Sequence, residues 1–574
     1  MATVEASIFP SRPRERAQVR FADGRTYEGP AGTPLAQFVE VAYPAPCCPI
    51  VAALVNDSLE ELSYPVTQDV DVTPIDTSTN DGMRIYQRSL TFLLVVAIQE
   101  LFPEAQVVID YSVAWGGFFC QILGRELFSQ TEIEAVEQRM REIVAADEPI
   151  LKERVSVDEA KRTFAAQGYD DKVRLFAYRE ENDISVYKLR GLYDYLYGYM
   201  MASTGKMCCF SLQLYHSGFV LRLPQRQQPT VLPPSRDFPK LMAVFQEYGR
   251  WLGILGMEHI SELNDAVESG RIREAVLVSE ALHEKRIAEI ADAVVRANGG
   301  KRLVLVAGPS SSGKTTFARR LAVQLIVNGL KPFALGLDDY FVDREYTPRD
   351  EQGNYDFEAL EAINLPLFNE HLLALMAGET VCLSQYDFKT GKGSRGREVR
   401  LPRDEHGRVS AVIIVEGIHG LNPKLVASVP PEWVYRIYAS ALTQLNIDHH
   451  NRVPTTDTRL IRRIVRDAQF RGYSARETIE RWESVRRGEE RYIYPYQENA
   501  DVMFNSALVY ELAVLKPFVE PLLLRVPRGT MESLESRRLL AFLQWVRPCP
   551  SDVVPDNSLL REFIGGAILE DWRF

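Results

Sequence analysis

The sequence predicts a multidomain α/β protein, with a parallel-sheet domain in the C-terminal half preceded by two smaller α+β units. Three observations lead there. At 574 residues the chain is too long for one hydrophobic core and has room for several domains of roughly 100–200 residues each. From Lys301 onward, short apolar runs alternate with helical stretches, which is the order of a parallel sheet with crossover helices. Between the halves, residues 225–239 carry Pro229, Pro233, Pro234 and Pro239, the clearest linker in the chain.

The elements follow in order. Residues 1–16 are polar and without pattern. In residues 17–78, turns at Ala22-Asp23-Gly24-Arg25, Gly29-Pro30 and Asn56-Asp57 separate strand-like runs. Residues 33–41 fit one short helix, with Thr33 as N-cap and Pro34 at the first helical position. In residues 79–225, 89–101 read as an apolar helix, 107–113 as a strand and 132–146 as an amphipathic helix. Residues 226–300 hold the linker and two helices, near 240–249 and 280–298, the second ended by Asn298-Gly299-Gly300. The parallel-sheet domain takes residues 301–520, with strands at 303–307, 333–337, 411–415 and 434–439. Residues 521–574, with Pro548, Pro550 and Pro555, read as an appendage.

One motif stands out. Gly308-Pro309-Ser310-Ser311-Ser312-Gly313-Lys314-Thr315-Thr316 matches Gly-x-x-x-x-Gly-Lys-Ser/Thr in full, with a strand before it and a helix after it. Such a loop turns its backbone N–H groups around phosphate oxygens at a helix N-terminus. Lys314 should reach the β- and γ-phosphates of a nucleotide, and the Thr315 hydroxyl should bind Mg²⁺.

Composition limits the rest. The net charge of −12 argues against a general nucleic-acid coat. Seven scattered cysteines without a Cys-x-x-Cys spacing fit a reducing compartment, and no secretory h-region or membrane-length apolar run is present, so a cytoplasmic location is expected. The guanine-reading Asn-Lys-x-Asp of GTPases and the signature loop of transporter ATPases are both missing.

After the loop come Leu337-Asp338-Asp339-Tyr340-Phe341, Asn354-Tyr355-Asp356, Tyr386-Asp387-Phe388, Glu416-Gly417-Ile418, an Arg-rich stretch from Arg459 and Asn499-Ala500-Asp501-Val502. In this order the blocks resemble the uridine kinase / phosphoribulokinase family over residues 301–505. The resemblance implies an ATP-dependent kinase with Mg²⁺. Asp338 would be the catalytic acid/base and would face the metal with Thr315 and Glu416. Asp356 would hold ribose hydroxyls, and Tyr355 and Tyr386 would surround a base. Arg463, Arg466 and Arg471 would belong to a lid over the transferring phosphate, where the planar guanidinium suits phosphate oxygens. Arg459, Arg463 and Arg466 share one helical face by spacing. Two departures bear on the acceptor. The base-reading histidine of the family is replaced at Gly391, and a further lid arginine appears as Tyr473. The expected acceptor is a nucleoside; the alternatives are another metabolite of the phosphoribulokinase branch, or an ATP switch for an RNA- or ribosome-binding regulator.

The N-terminal half carries a second resemblance. Residues 17–78 resemble the TGS domain, a β-grasp module. Residues 79–225 resemble the editing domain of threonyl-tRNA synthetase, best at 193–205, where Ala202-Ser203-Thr204-Gly205 stands for Pro-Ser-Thr-Gly. The His-x-x-x-His pair of that domain is missing, Asp194 stands near its cysteine and Tyr199 near its second-motif histidine, so editing-type activity is expected to be absent. Cys208-Cys209 reads as buried apolar packing. RNA, a small regulatory ligand or another subunit are the candidate partners of this half; no membrane is implied, and an oligomer is compatible with the sequence.

Overall fold

The computed structural model describes residues 14–296, 302–350, 353, 355–387, 390–403, 405–407 and 409–572. Several sequence expectations fall outside the described residues: the loose start at 1–13, the helix stop Asn298-Gly299-Gly300, Asn354 and Phe388. The described residues form two compact units, one of residues 14–235 with 449–451 and 527–534, the other of the remainder. Among the described residues no helix is long and apolar enough to cross a membrane.

The first unit opens with a β-grasp. Five strands lie in the order Thr26–Pro30, Arg16–Phe21, Val70–Asp76, Ile50–Val55, Ser58–Glu61. Alternating burial along Arg16–Phe21 puts Ala17, Val19 and Phe21 in a core with Leu35, Phe38 and Val39 of the single helix. That helix runs Leu35–Ala42, shorter than expected, and Thr33 is not its cap. Thr33 and Pro34 instead pair with Val66 and Pro65 as a short ladder. The amides of Leu35 and Ala36 donate to the carbonyls of Tyr64 and Leu62, so the first turn needs no side-chain cap.

The α+β part follows. Helix Asn80–Leu101 is capped by Thr79, and Gln130–Ala145 carries a capping box from Ser129 and Glu132. Four antiparallel strands run Ser211–Tyr215, Gly218–Arg222, Gly117–Leu123, Gln106–Ser112, and three more run Leu151–Ser156, Asp183–Leu189, Leu192–Asp194. Cys208 is exposed and Cys209 half-buried, against the expectation of buried packing. The Cys209 amide instead docks on the Tyr86 hydroxyl at 2.9 Å.

The second unit is a parallel sheet of β1 (Leu303–Ala307), β2 (Lys331–Gly336), β3 (Ala411–Glu416), β4 (Val434–Ser440) and β5 (Val502–Asn505). Their spatial order is β2-β3-β1-β4-β5, every neighbour parallel. β1 is central and wholly buried, which explains its unbroken apolar text. Side chains of β1 and β3 alternate between two cores, Leu303 and Leu305 on one face, Val304 and Val306 on the other. Helix α1 (Lys314–Val327) leaves the loop after β1, while α2 (Thr455–Arg466) and α3 (Ala475–Tyr492) carry the Arg-rich stretch.

Three differences from expectation concern this unit. Pro239 is the first residue of helix Pro239–Leu255, not part of a linker, and an unpredicted helix Ile260–Glu268 follows it. The boundary set at residue 520 falls inside helix Glu511–Leu524. Residues 535–572 are no appendage either: Trp545, Leu559 and Phe563 are buried within the unit. Prolines marked breaks in helix there, not a loss of core.

Candidate active site

β1 feeds the loop directly. A Cβ on Gly308 would lie 1.9 Å from the Ala439 carbonyl oxygen, so the loop can pass β4 only with glycine there. Ser311 and Gly313 take positive φ of 57° and 80°, the alternation that turns amides toward one concave side. The hydroxyls of Ser311 and Ser312 are buried without a protein partner. Orphaned donors at the start of a 14-residue helix fit a phosphate group. Lys314 Nζ donates to the Pro309 carbonyl at 2.9 Å, spanning its own loop. Desolvation lowers its pKa; Glu416, Glu562 and Glu489 act against that.

The carboxylates sit at strand ends. Thr315 Oγ1 donates to Glu416 Oε1 at 2.8 Å. Desolvation raises Glu416, opposed by Lys314. Asp338 lies in the 3₁₀ turn Leu337–Tyr340 just beyond β2. Protein packed around it raises its pKa, while Lys314 and Arg471 pull the other way. A hydroxyl and two carboxylates are hard oxygen donors, so Thr315, Glu416 and Asp338 fit Mg²⁺ and would hold it.

The arginines divide into distinct roles. Arg463 Nη1 donates to Ser310 Oγ at 2.8 Å. Arg459, only 1% exposed, pairs with both oxygens of Glu489 at 2.6 Å. Glu489 also accepts from the Ser310 amide at 3.1 Å, so α2 and α3 jointly pin the crest of the loop. Arg466 and Arg471 gather with Arg463 on buried Asp467, at 2.9, 3.7 and 3.3 Å. Of these three arginines, Arg463 is the one with a hydrogen bond to the loop, while all three meet at the start of the π-helical turn Asp467–Arg471. Tyr473, where a lid arginine was expected, stacks under Arg481 at 4.3 Å.

Asp356, the residue expected to hold acceptor hydroxyls, accepts from Tyr492 Oη at 3.0 Å and from the Glu358 amide at 3.1 Å. His419 meets Tyr492 edge-on at 5.7 Å, and burial lowers its pKa to about 4. Tyr355 is partly exposed under Arg349; Tyr386 is buried against Phe341. The two tyrosines are linked through Phe357 and Phe341 by successive ring contacts of 6.0, 5.9 and 5.6 Å. Gly391 sits at φ 72° in the turn of the hairpin Thr380–Asp387 / Lys392–Arg400, where a Cβ would come 2.8 Å from the Arg344 side chain. In this chain a side chain at 391 would be strained in the turn and would crowd Arg344.

Sequence reasoning missed Glu489, Tyr492, Glu358 and Glu562. Each acts through a partner far along the chain, and no local spacing marks it. Glu358 carries a testable consequence. Desolvation, with Glu489 next, pushes its carboxyl from 4.5 up to about 7. The unfolded carboxyl ionises first, so the folded state loses stability as pH rises from 4.5 to about 7 and holds level above. Melting temperatures of Glu358→Gln should exceed wild type at pH 8 and match it at pH 5; parallel curves would contradict this.

In the first unit, the position beside the missing cysteine is occupied by a closed polar cluster. Asp194 and Lys172 pair at 2.9 Å with both side chains 0% exposed, and His450 Nδ1 lies 2.7 Å from the other Asp194 oxygen. Burial alone would raise Asp194, but Lys172 and His450 hold it below its usual range. Tyr199 lies under the Lys152 ammonium at 4.9 Å.

Fold and loop together define a phosphate-loop nucleotide-binding domain of the α/β class. Residues 303–513 match the model of the Phosphoribulokinase / Uridine kinase family. The N-terminal half is similar to threonine–tRNA ligases: 33% identity over 163 residues to that of Acidovorax sp. (strain JS42), covering 28% of this chain and 25% of the relative. The Rhodopseudomonas palustris ligase is 30% identical over 194 residues, 34% of this chain and 29% of its own. The chain thus spans about a quarter of the length of these curated relatives. Among solved structures, a possible uridine kinase from Bacillus stearothermophilus aligns at 20% identity and a TM-score of 0.26, over 38% of this chain and 98% of its own.

Proposed function

We propose that the second unit transfers the γ-phosphoryl group of ATP to a hydroxyl of a small acceptor, a nucleoside 5′-hydroxyl being the leading candidate. The observation that carries this reading is Asp338 at the end of β2, beside Lys314 and near the Thr315–Glu416 pair. A phosphate switch needs the loop but no carboxylate to receive a proton.

In this reading the loop amides and the Ser311 and Ser312 hydroxyls hold the nucleotide phosphates. Asp356, braced by Tyr492, holds acceptor hydroxyls. Asp338 accepts the proton as the acceptor oxygen forms its bond to phosphorus and the bond to the β-phosphate oxygen breaks, leaving ADP. Lys314 and Arg463 neutralise charge on the moving group, and Arg466 and Arg471 approach it when the turn at Asp467 closes. Bound Mg²⁺ supplies further charge neutralisation on the phosphate oxygens. The ring series Tyr355–Phe357–Phe341–Tyr386 supports an acceptor with a flat face.

The test is a transfer assay over nucleosides, pentoses and amino alcohols with ATP and GTP. The expected result is one phosphomonoester class dominated by nucleosides. Transfer to pentoses or amino alcohols alone would replace the acceptor but keep the chemistry. ATP hydrolysis stimulated by RNA, with no phosphorylated acceptor, would favour a regulatory switch instead.

A further inference from the structure

The C-terminal segment reaches into the phosphate loop. Glu562 Oε2 accepts from the Thr316 amide at 3.1 Å and from Thr316 Oγ1 at 3.0 Å. Thr316 closes the phosphate-binding motif in the first turn of α1, and its amide is one of the donors that such a helix start offers to phosphate. A carboxylate therefore holds donors that a nucleotide needs.

The segment is held on both sides of Glu562. Leu559 is buried against Gly313, where an added Cβ would come 3.1 Å from it. Phe563 is buried with the Arg462 guanidinium 5.1 Å from its ring, and Arg462 in turn reaches the Ser311 carbonyl. Gly565 and Gly566 follow with positive φ of 84° and 73°, and a Cβ on Gly565 would meet Phe470 of the π-helical turn at 3.4 Å. The segment thus touches the loop through Leu559 and Glu562 and the arginine turn through Gly565. Its helical part, Arg561–Ile564, is only four residues long; Leu559 and Phe563 are anchored in the core, and half-buried Glu562 is the side chain that can swing off Thr316.

Charge makes coexistence unfavourable. Glu416, Glu489 and Glu562 already surround the single ammonium of Lys314. Adding nucleotide phosphates to three carboxylates repels the one that shares their donors.

We propose that residues 559–566 form an autoinhibitory strap, in which Glu562 stands in for a nucleotide phosphate at Thr316 and is displaced when nucleotide binds. This rests on the nucleotide site of the proposed function and adds a competitor within it.

The experiment is calorimetric titration of the full chain with ADP and magnesium, for wild type and Glu562→Gln. The amide keeps the size of the side chain and removes its charge. Binding tighter by about tenfold in the variant is expected, the scale of one charge-assisted contact. Hydrogen exchange on the wild type gives a second reading: residues 559–566 should exchange faster when ADP is saturating. Equal or weaker binding by the variant, or slower exchange of 559–566 with ADP, would overturn the strap while leaving the nucleotide site intact. No binding by either protein would overturn the nucleotide site as well.

Discussion

Asp338→Asn is expected to lower kcat about a thousandfold while ADP affinity measured without magnesium stays within about threefold of wild type. The loss follows from removing the group that accepts the acceptor's proton, worth about 10²–10⁴ in rate. The affinity should hold because Asp338 is not among the groups that hydrogen-bond the loop; those are Glu416, Glu489, Arg463, Arg462 and Glu562. Steady-state kinetics and a nucleotide titration separate the two effects. Unchanged kcat removes Asp338 from its role. A parallel collapse of binding would assign it to holding the nucleotide.

Glu489→Ala is expected to cost about 3–5 kcal/mol of stability, the range for stranding one member of a buried ion pair. Arg459 has no other carboxylate within reach in the described contacts, and its guanidinium would be left under Trp482 with only the Tyr494 hydroxyl. The Ser310 amide loses its acceptor in the same step. Urea unfolding of the full chain measures the loss. The double variant Glu489→Ala/Arg459→Met should recover most of it, since an apolar pair of similar volume carries no stranded charge. A single-variant loss below about 1 kcal/mol would show that the pair is hydrated enough to be dispensable.

What the sequence made legible follows from how local each signal is. β1 and β3 are almost continuous apolar runs because both faces of the sheet are covered, β4 is interrupted at Arg436, and the bounds of all three were found to within one residue. The loop was legible for the same reason: strand, glycines and helix are contiguous. Glu489, Glu562 and Tyr492 were not, because their partners Arg459, Thr316 and Asp356 lie 30, 246 and 136 residues away. His450 likewise joins Asp194 across 256 residues, and no pattern in either segment announces the other. Thr33 misled because a Thr-Pro pair before an apolar run is a helix start by composition, whereas here a strand pairing claims its backbone. At Gly391 a missing histidine was legible as a departure, but the positive φ of that hairpin turn and its closeness to Arg344 were not.

The account stands or falls on where the γ-phosphate goes. The direct measurement follows radiolabelled γ-phosphate from ATP in reactions containing wild-type chain, magnesium and, in turn, nucleosides, pentoses and amino alcohols, counting label in inorganic phosphate and in phosphomonoester. The account predicts that nearly all released label appears as phosphomonoester and that Asp338→Asn abolishes it. Label recovered only as inorganic phosphate, or retained in ATP across nucleosides, pentoses and amino alcohols alike, would contradict it.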